Sequence, residues 1–434
     1  MSVLKNLQPE RVFYYFEEIT KIPHGSGNTK QISDYLAEFA RNHGLRYIQD
    51  ESNNIIIFKE ASKGYEKAPC VILQGHMDMV CEKTPGSAHD FTKDPLKLVV
   101  EGDYISAEDT TLGGDDGIAV AYALAILEDD SLPHPALEVL ITVDEEIGLL
   151  GAAALDTAPL KGRYLINLDS EEEGYLWVGC AGGLTAQTSI PVKYQETRGM
   201  KYEITVSGLL GGHSGAEIDK NRANATLLLG RFLFEAREKE DYVLAELEGG
   251  QKDNAIPRTA RALILADSKA GAELQSFANE FTENLRKEYA GSDEGITVTV
   301  EARGEGEEPT LHPVSLEKLL FFLLHYPNGI QKMCGYMEGL VETSCNLGIA
   351  RLTQEGFQCS ASVRSSVATE KKALADKIAY LTEFLGGEYK AEGDYPSWEY
   401  KQDSKLRPYM VDIYEKLYHT KPEVKVIHAG PMFY

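Results

Sequence analysis

Cysteine is scarce in this chain, basic residues are outnumbered, and no apolar run is long. The six cysteines, Cys70, Cys81, Cys180, Cys334, Cys345 and Cys359, are spread over 434 residues. None stands in a Cys-x-x-Cys pair, which argues against a disulfide framework and against a structural zinc site of the cysteine type. Reduced thiols are expected. No apolar stretch approaches the roughly 18–20 residues that span a bilayer. The opening MSVLKNLQPE lacks the apolar core of a secretion signal, so a cytoplasmic location is expected. Lys and Arg number 43 against 68 Asp and Glu, a formal net charge of −25. A polyanion of this kind binds nucleic acid or an anionic membrane poorly, so neither is an expected partner. Most of the acidity reads as solvation, and a small part as carboxylates that bind metal.

The chain does have an ordinary globular composition, 43% hydrophobic and 26% charged. Its length exceeds one core and predicts at least two domains. In the first part, Val12, Phe13, Phe16 and Ile19 share a helical spacing, as do Ile32, Tyr35, Leu36 and Phe39. Residues 54–58, 70–74, 137–143 and 164–168 are short apolar strand patterns, and 117–127 is a helix of small residues. This order predicts an α/β domain with a mixed, mostly parallel sheet and helices on both faces. From about Thr185 the texture becomes α+β. After about Ser397 a helix pattern and a strand pattern lead to His428. The expected division is 1–184 with 398–434, and 185–397 between them.

The chemistry gathers where the apolar strands end, the usual place for it in such sheets. CVILQ runs into Gly75-His76-Met77-Asp78, LEVLITV into Asp144-Glu145-Glu146, and YLIN into Leu168-Asp169-Ser170. Asp115 sits in a Gly-Gly-Asp-Asp-Gly turn before a helix. Four segments therefore aim acidic or imidazole groups at one sheet edge. His76 and Asp78, two apart on an extended segment, point the same way, so Asp78 can hold the second ring nitrogen of a ligating His76. Adjacent Glu145 and Glu146 repel one another and pack poorly. One can bind metal while the other serves as general base. Hard and borderline donors of this type suit zinc or manganese. Each motif alone also reads as a solvated turn or a helix cap. It is the set that points to a metal centre.

The segments LQGHMDMV, LGGDDGIAVA, TVDEEIGLLGA, NLDSEEEG and GGHSGAEIDKNRANA, in that order, resemble the aminoacyl-histidine dipeptidases. These are the carnosinase-type branch of the dinuclear zinc exopeptidases, which also include aminoacylases and tripeptidases. KIPHGSGNT is similar to the same branch, and the likeness runs over almost the whole chain. It implies a zinc exopeptidase-like catalytic domain with 185–397 as an inserted lid. It implies one zinc on His76, Asp115 and Asp169 and another on Asp115, Glu146 and His428, with manganese or cobalt as substitutes. Glu145 would be the base that activates a zinc-bridged water, and Asp78 would orient His76. His213 would stabilise the oxyanion, and Asn254 and Arg364 would reach a small peptide substrate. The Asp115-Asp116 peptide bond is often cis in this family. Some relatives pair as homodimers.

The resemblance implies hydrolysis of dipeptides, preferentially Xaa-His such as β-alanyl-histidine. After His428 the family reads Ala-Gly-Leu-Glu-Cys-Gly and continues. This chain reads Ala429-Gly430-Pro431-Met432-Phe433-Tyr434. A truncated chain is therefore expected, rather than a genuinely short member. The alternatives are a related aminoacylase or tripeptidase, and an inactive relative that only binds metal or peptide.

Overall fold

The computed structural model describes residues 2–170 and 172–428. The described chain divides between Gly174 and Tyr175 into two compact units.

The first unit runs α1 (Glu10–Ile19), α2 (Lys30–Asn42), β1 (Arg46–Gln49), β2 (Ile55–Lys59), β3 (Val71–His76), β4 (Leu98–Glu101), β5 (Tyr104–Ala107), α3 (Gly114–Glu128), β6 (Leu137–Thr142), α4 (Leu150–Ala154) and β7 (Tyr164–Asn167). Its main sheet has the order β1-β2-β6-β3-β7. β3 lies parallel to both β6 and β7, while β1 and β2 complete the sheet through antiparallel pairs. The fold class is therefore the expected mixed α/β one. β2 and β6 are buried along their whole length, as their unbroken apolar runs require. The three long helices share one face with Ile55, Ile57, Leu73, Val139 and Ile141. The other face is smaller: Ile56, Phe58, Ile72 and Leu140 lie under Leu155 and Leu160, which follow the short α4. α3 has no polar face to show: Ala119, Val120, Ala121, Ala123, Leu124 and Leu127 are all buried. That is why its residues are small and apolar throughout.

The second unit runs β8 (Tyr175–Cys180), β9 (Gly182–Ile190), β10 (Tyr194–Ser207), β11 (Gly212–His213), α5 (Ala225–Ala236), β12 (Tyr242–Gly249), β13 (Ala255–Ile256), β14 (Ala260–Ala266), α6 (Ala270–Glu288), β15 (Thr297–Leu311), α7 (Pro313–His325), β16 (Gly329–Met333), β17 (Val341–Leu352), β18 (Phe357–Ser365), α8 (Ala368–Phe384), β19 (Glu388–Tyr395), α9 (Leu406–Tyr418) and β20 (Glu423–Ile427). Nine strands form one antiparallel sheet in the order β15-β10-β14-β12-β17-β18-β9-β19, with β16 beside β17. Phe232, Phe277, Phe281, Phe322 and Phe357 anchor the core that α5 to α8 share with it. β20 lies parallel to β8, so the last described strand pairs with the first strand of this unit.

Candidate metal centre and substrate residues

Three parallel strands of the first unit end in register. His76 closes β3 opposite Thr142 of β6, and Gln74 pairs with Asn167 of β7. Past those ends the chain turns and presents Asp78, Glu145, Glu146 and Asp169. Asp115 and Asp116 enter from the start of α3, where their backbone is not helical and the bond between them is cis.

His76 is the hub. Its Nε2 lies 3.0 Å from Asp115 Oδ1, 3.9 Å from Asp169 Oδ1 and 4.0 Å from Glu145 Oε2. Its Nδ1 lies 3.0 Å from the backbone oxygen of Asp78 and 3.4 Å from Asp78 Oδ1. An acceptor pair on the Nδ1 side holds a proton on that nitrogen and turns Nε2 toward the carboxylates, so Nε2 is the nitrogen that would bind a cation once its own proton leaves. Asp78 also accepts from Ser26 Oγ at 2.8 Å and from the backbone N–H of Glu145 at 3.1 Å. Asp116 Oδ2 accepts the backbone N–H of His76 at 3.1 Å, from behind the strand. His76, Asp116 and Asp169 each bring a ligand atom within 4.8 Å of the others, and so do His76, Glu145 and Glu146.

The electrostatics follow from many carboxylates around one imidazole. Burial is the largest influence on His76 and lowers its pKa, but Asp115, Asp78, Asp169 and Asp116 together push it up to about 11. Burial raises Glu145 to about 7, helped by repulsion from Glu146, Asp115 and Asp78 and opposed by His76. Burial likewise raises Asp116 to about 7. Asp169 rises through burial and repulsion from Asp116. Asp78 stays low: burial works against ionisation, but contacts from His76 and Ser26 outweigh it. Converging, partly buried anions suit a cation, because positive charge relieves their repulsion. One imidazole with an open nitrogen and several carboxylate oxygens also fits zinc by donor type.

The other expected residues lie in the second unit. His213 Nδ1 accepts the backbone N–H groups of Gly215 (3.1 Å) and Ala216 (3.0 Å), so its proton sits on Nε2. Burial and the Arg364 charge lower its pKa, which keeps the ring neutral. β11 pairs with β13, and Ser214 N–H donates to the backbone oxygen of Asn254 at 2.9 Å, so His213 and Asn254 are neighbours. Arg364, in β18, is buried and donates through Nη1 to Tyr395 Oη at 3.0 Å. Its Nε has no partner among the described residues. His428 follows β20, is buried, and lies 2.7 Å through Nε2 from Ser344 Oγ. Burial and Arg364 push His428 down to about 3. Ser344 pairs with Arg364 across β17 and β18.

Four participants were missed in the sequence. Ser26 lies within KIPHGSGNT, where nothing in the sequence singles out the serine. Asp116 carries no signal beyond its Gly-Gly-Asp-Asp-Gly turn. Ser344 and Tyr395 sit in strands with no local signal.

The chain is similar to known proteins over nearly its whole length. It is 35% identical over 432 residues to the cytosol non-specific dipeptidase of Escherichia coli, covering 99% of this chain and 89% of that relative. It superposes on the crystal structure of aminoacylhistidine dipeptidase from Vibrio alginolyticus with a TM-score of 0.95 at 33% identity, covering 99% of this chain and 88% of that one. The aminopeptidase PepT of Bacillus cereus shares the fold at a TM-score of 0.50 and 16% identity, covering 98% of this chain and 86% of that one. Residues 204–293 match the M20 peptidase dimerisation domain. The chain belongs to the M20 family of metallopeptidases. Within that family it is a dipeptidase.

Proposed function

We propose that the chain hydrolyses dipeptides with a C-terminal histidine, such as β-alanyl-histidine, at a dinuclear zinc centre. One observation carries this reading: His76 Nε2 faces carboxylates from three separate segments, Asp115, Asp169 and Glu145. In this reading His76, Asp115 and Asp169 hold one ion, and Asp115, Glu146 and His428 hold the other. The cations supply a lowered water pKa and polarise the scissile carbonyl. Glu145 takes the proton from the attacking water and returns it to the leaving amine. Asp78 fixes the His76 ring. His213 donates its Nε2 proton to the developing oxyanion. Asn254 binds the peptide, and the Arg364 guanidinium pairs with its carboxylate. Residues 1–184 and 398–434, of which 429–434 lie outside the described residues, form the catalytic part and 185–397 the lid.

Support for an Xaa-His preference comes from the Vibrio protein, an aminoacylhistidine dipeptidase. The Escherichia coli relative, a non-specific dipeptidase, favours a second reading with a broader substrate range. Its cytosolic name supports a cytoplasmic location, and no described helix is long and apolar enough to cross a membrane. The dimerisation-domain match supports a homodimer, which light scattering tests.

The deciding experiment is metal analysis of the purified protein with a panel of Ala-Ala, Ala-His, β-alanyl-histidine, a tripeptide and an N-acyl amino acid. We expect about two ions per chain and the highest kcat/KM on the Xaa-His members. Zinc below one per chain with no turnover after reconstitution overturns the metal mechanism. Equal rates on Ala-Ala decide for the broader range.

A further inference from the structure

The segment 208–224, between β10 and α5, carries His213. Its two ends are held by one side chain from elsewhere in the unit. Asp293, in the turn between α6 and β15, accepts the backbone N–H of Leu210 through Oδ1 at 2.6 Å. It accepts the backbone N–H of Ala223 through Oδ2 at 2.8 Å. Asp293 is fully buried, at 0% exposure. A buried carboxylate is held only where hydrogen bonds satisfy it, and both of these bonds go to the mouth of this one loop.

The interior of the loop is braced as well. Glu217 Oε2 accepts the backbone N–H of His213 at 2.9 Å, and Glu217 Oε1 lies 2.9 Å from Arg222 Nη1. Arg222 Nη1 also donates to the Gly211 carbonyl. The His213 ring is fixed in turn by the N–H groups of Gly215 and Ala216. Gly208, at a φ of +80°, brings the loop onto the Asp293 turn so closely that a Cβ would lie 2.0 Å from the Gly295 oxygen. Rigid connections therefore run from Asp293 through the loop mouth to the His213 imidazole.

We infer that Asp293 is a positioning residue for His213: it clamps both ends of the loop and so fixes where the Nε2 proton points. The inference rests on the reading of His213 as the oxyanion donor. It deepens that reading by adding a residue that touches neither substrate nor metal.

The test is a double-mutant cycle on the whole, metal-loaded protein with a dipeptide substrate. Asp293→Asn keeps the size but turns one acceptor into a donor, so one end of the loop is released. Misplacement by about 1 Å can cost on the order of a hundredfold in rate. We expect Asp293→Asn to lower kcat by about ten- to a hundredfold with KM changed less than about threefold. We expect His213→Ala/Asp293→Asn to be no slower than His213→Ala, because residues acting as one unit are not additive. Multiplicative losses, or full activity of Asp293→Asn beside a slow His213→Ala, overturn the inference alone. Full activity of His213→Ala overturns the oxyanion reading and the inference with it. Amide exchange on the unmodified protein gives a check independent of the variant's folding. The Leu210 and Ala223 amides should both be protected, and rapid exchange at either one overturns the clamp.

Discussion

Asp78 meets the same nitrogen of His76 twice, with its backbone oxygen at 3.0 Å and its side-chain Oδ1 at 3.4 Å from Nδ1. The carboxylate also receives the N–H of Glu145 and, at 3.4 Å, that of Glu146. In the proposed function, one side chain thus orients a metal ligand and holds the turn that carries the base. Removing such a partner typically weakens metal binding by about 10- to 100-fold. Asp78→Ala is expected to show that loss in a chelator-competition titration near neutral pH. An unchanged affinity would remove Asp78 from the centre.

Glu145 is pushed up to about 7, chiefly by burial. A base must be deprotonated to act, so kcat/KM should fall as pH drops through its pKa. Bound cations favour the charged form and lower that pKa, which puts the acid limb below pH 7. Glu145→Gln should cut kcat by about 10²- to 10⁴-fold while zinc stoichiometry stays unchanged. If the residual activity keeps the same acid limb, that limb belongs to another group.

In the proposed function, His76 links metal binding to protons. In the metal-free protein its pKa is raised to about 11, so the ring is protonated at neutral pH and its lone pair is occupied. A cation must displace that proton, and it also lowers the raised pKa values of Asp116, Asp169 and Glu145. Every shift has the same sign: protons leave on loading, and apparent affinity rises with pH. The same linkage without metal gives the opposite trend for the His76 contribution to stability. That contribution is fully present below the unfolded histidine pKa and is lost as pH rises through about 11. Calorimetry of zinc binding in buffers of different ionisation enthalpy should record release of about one proton or more per chain. Zinc affinity that does not change between about pH 6 and 8 would contradict the linkage.

How much was legible in the sequence depends on whether residues signal locally. The strand ends at His76, Thr142 and Asn167 follow short apolar runs, so the sheet edge and the acids beyond it could be read directly. Val12, Phe16 and Ile19 are buried as their spacing requires. β15 is different: its alternating valines stop at Val300, yet the strand runs to Leu311. Residues 301–309 are exposed or half-buried, because that ribbon pairs with β10 without covering a core. Ser344 and Tyr395 were invisible for a related reason. Their importance comes from register, which sets Ser344 opposite Arg364 and brings Tyr395 to Gly183 on the neighbouring strand β9. No local window contains that information.

Gly75 tests how tightly the centre is built. It precedes His76 in β3, and a Cβ there would lie 2.5 Å from Asp116 Oδ2 and 2.7 Å from Ala119 Cβ. Neither neighbour can yield freely: Ala119 is in α3, and the Asp116 carboxylate is bonded to the His76 N–H. Overpacking of this kind costs about 1–3 kcal/mol, which lowers Tm by roughly 2–4 °C per kcal/mol in a domain of this size. The strain falls on His76, a metal ligand in the proposed function, so Gly75→Ala should lose zinc affinity as well as Tm. A distant core substitution of equal Tm cost should leave affinity unchanged. Matching the two variants for stability separates a general loss of packing from displacement of His76. If their zinc affinities are the same, the approach of Asp116 to the β3 backbone is dispensable to the metal site.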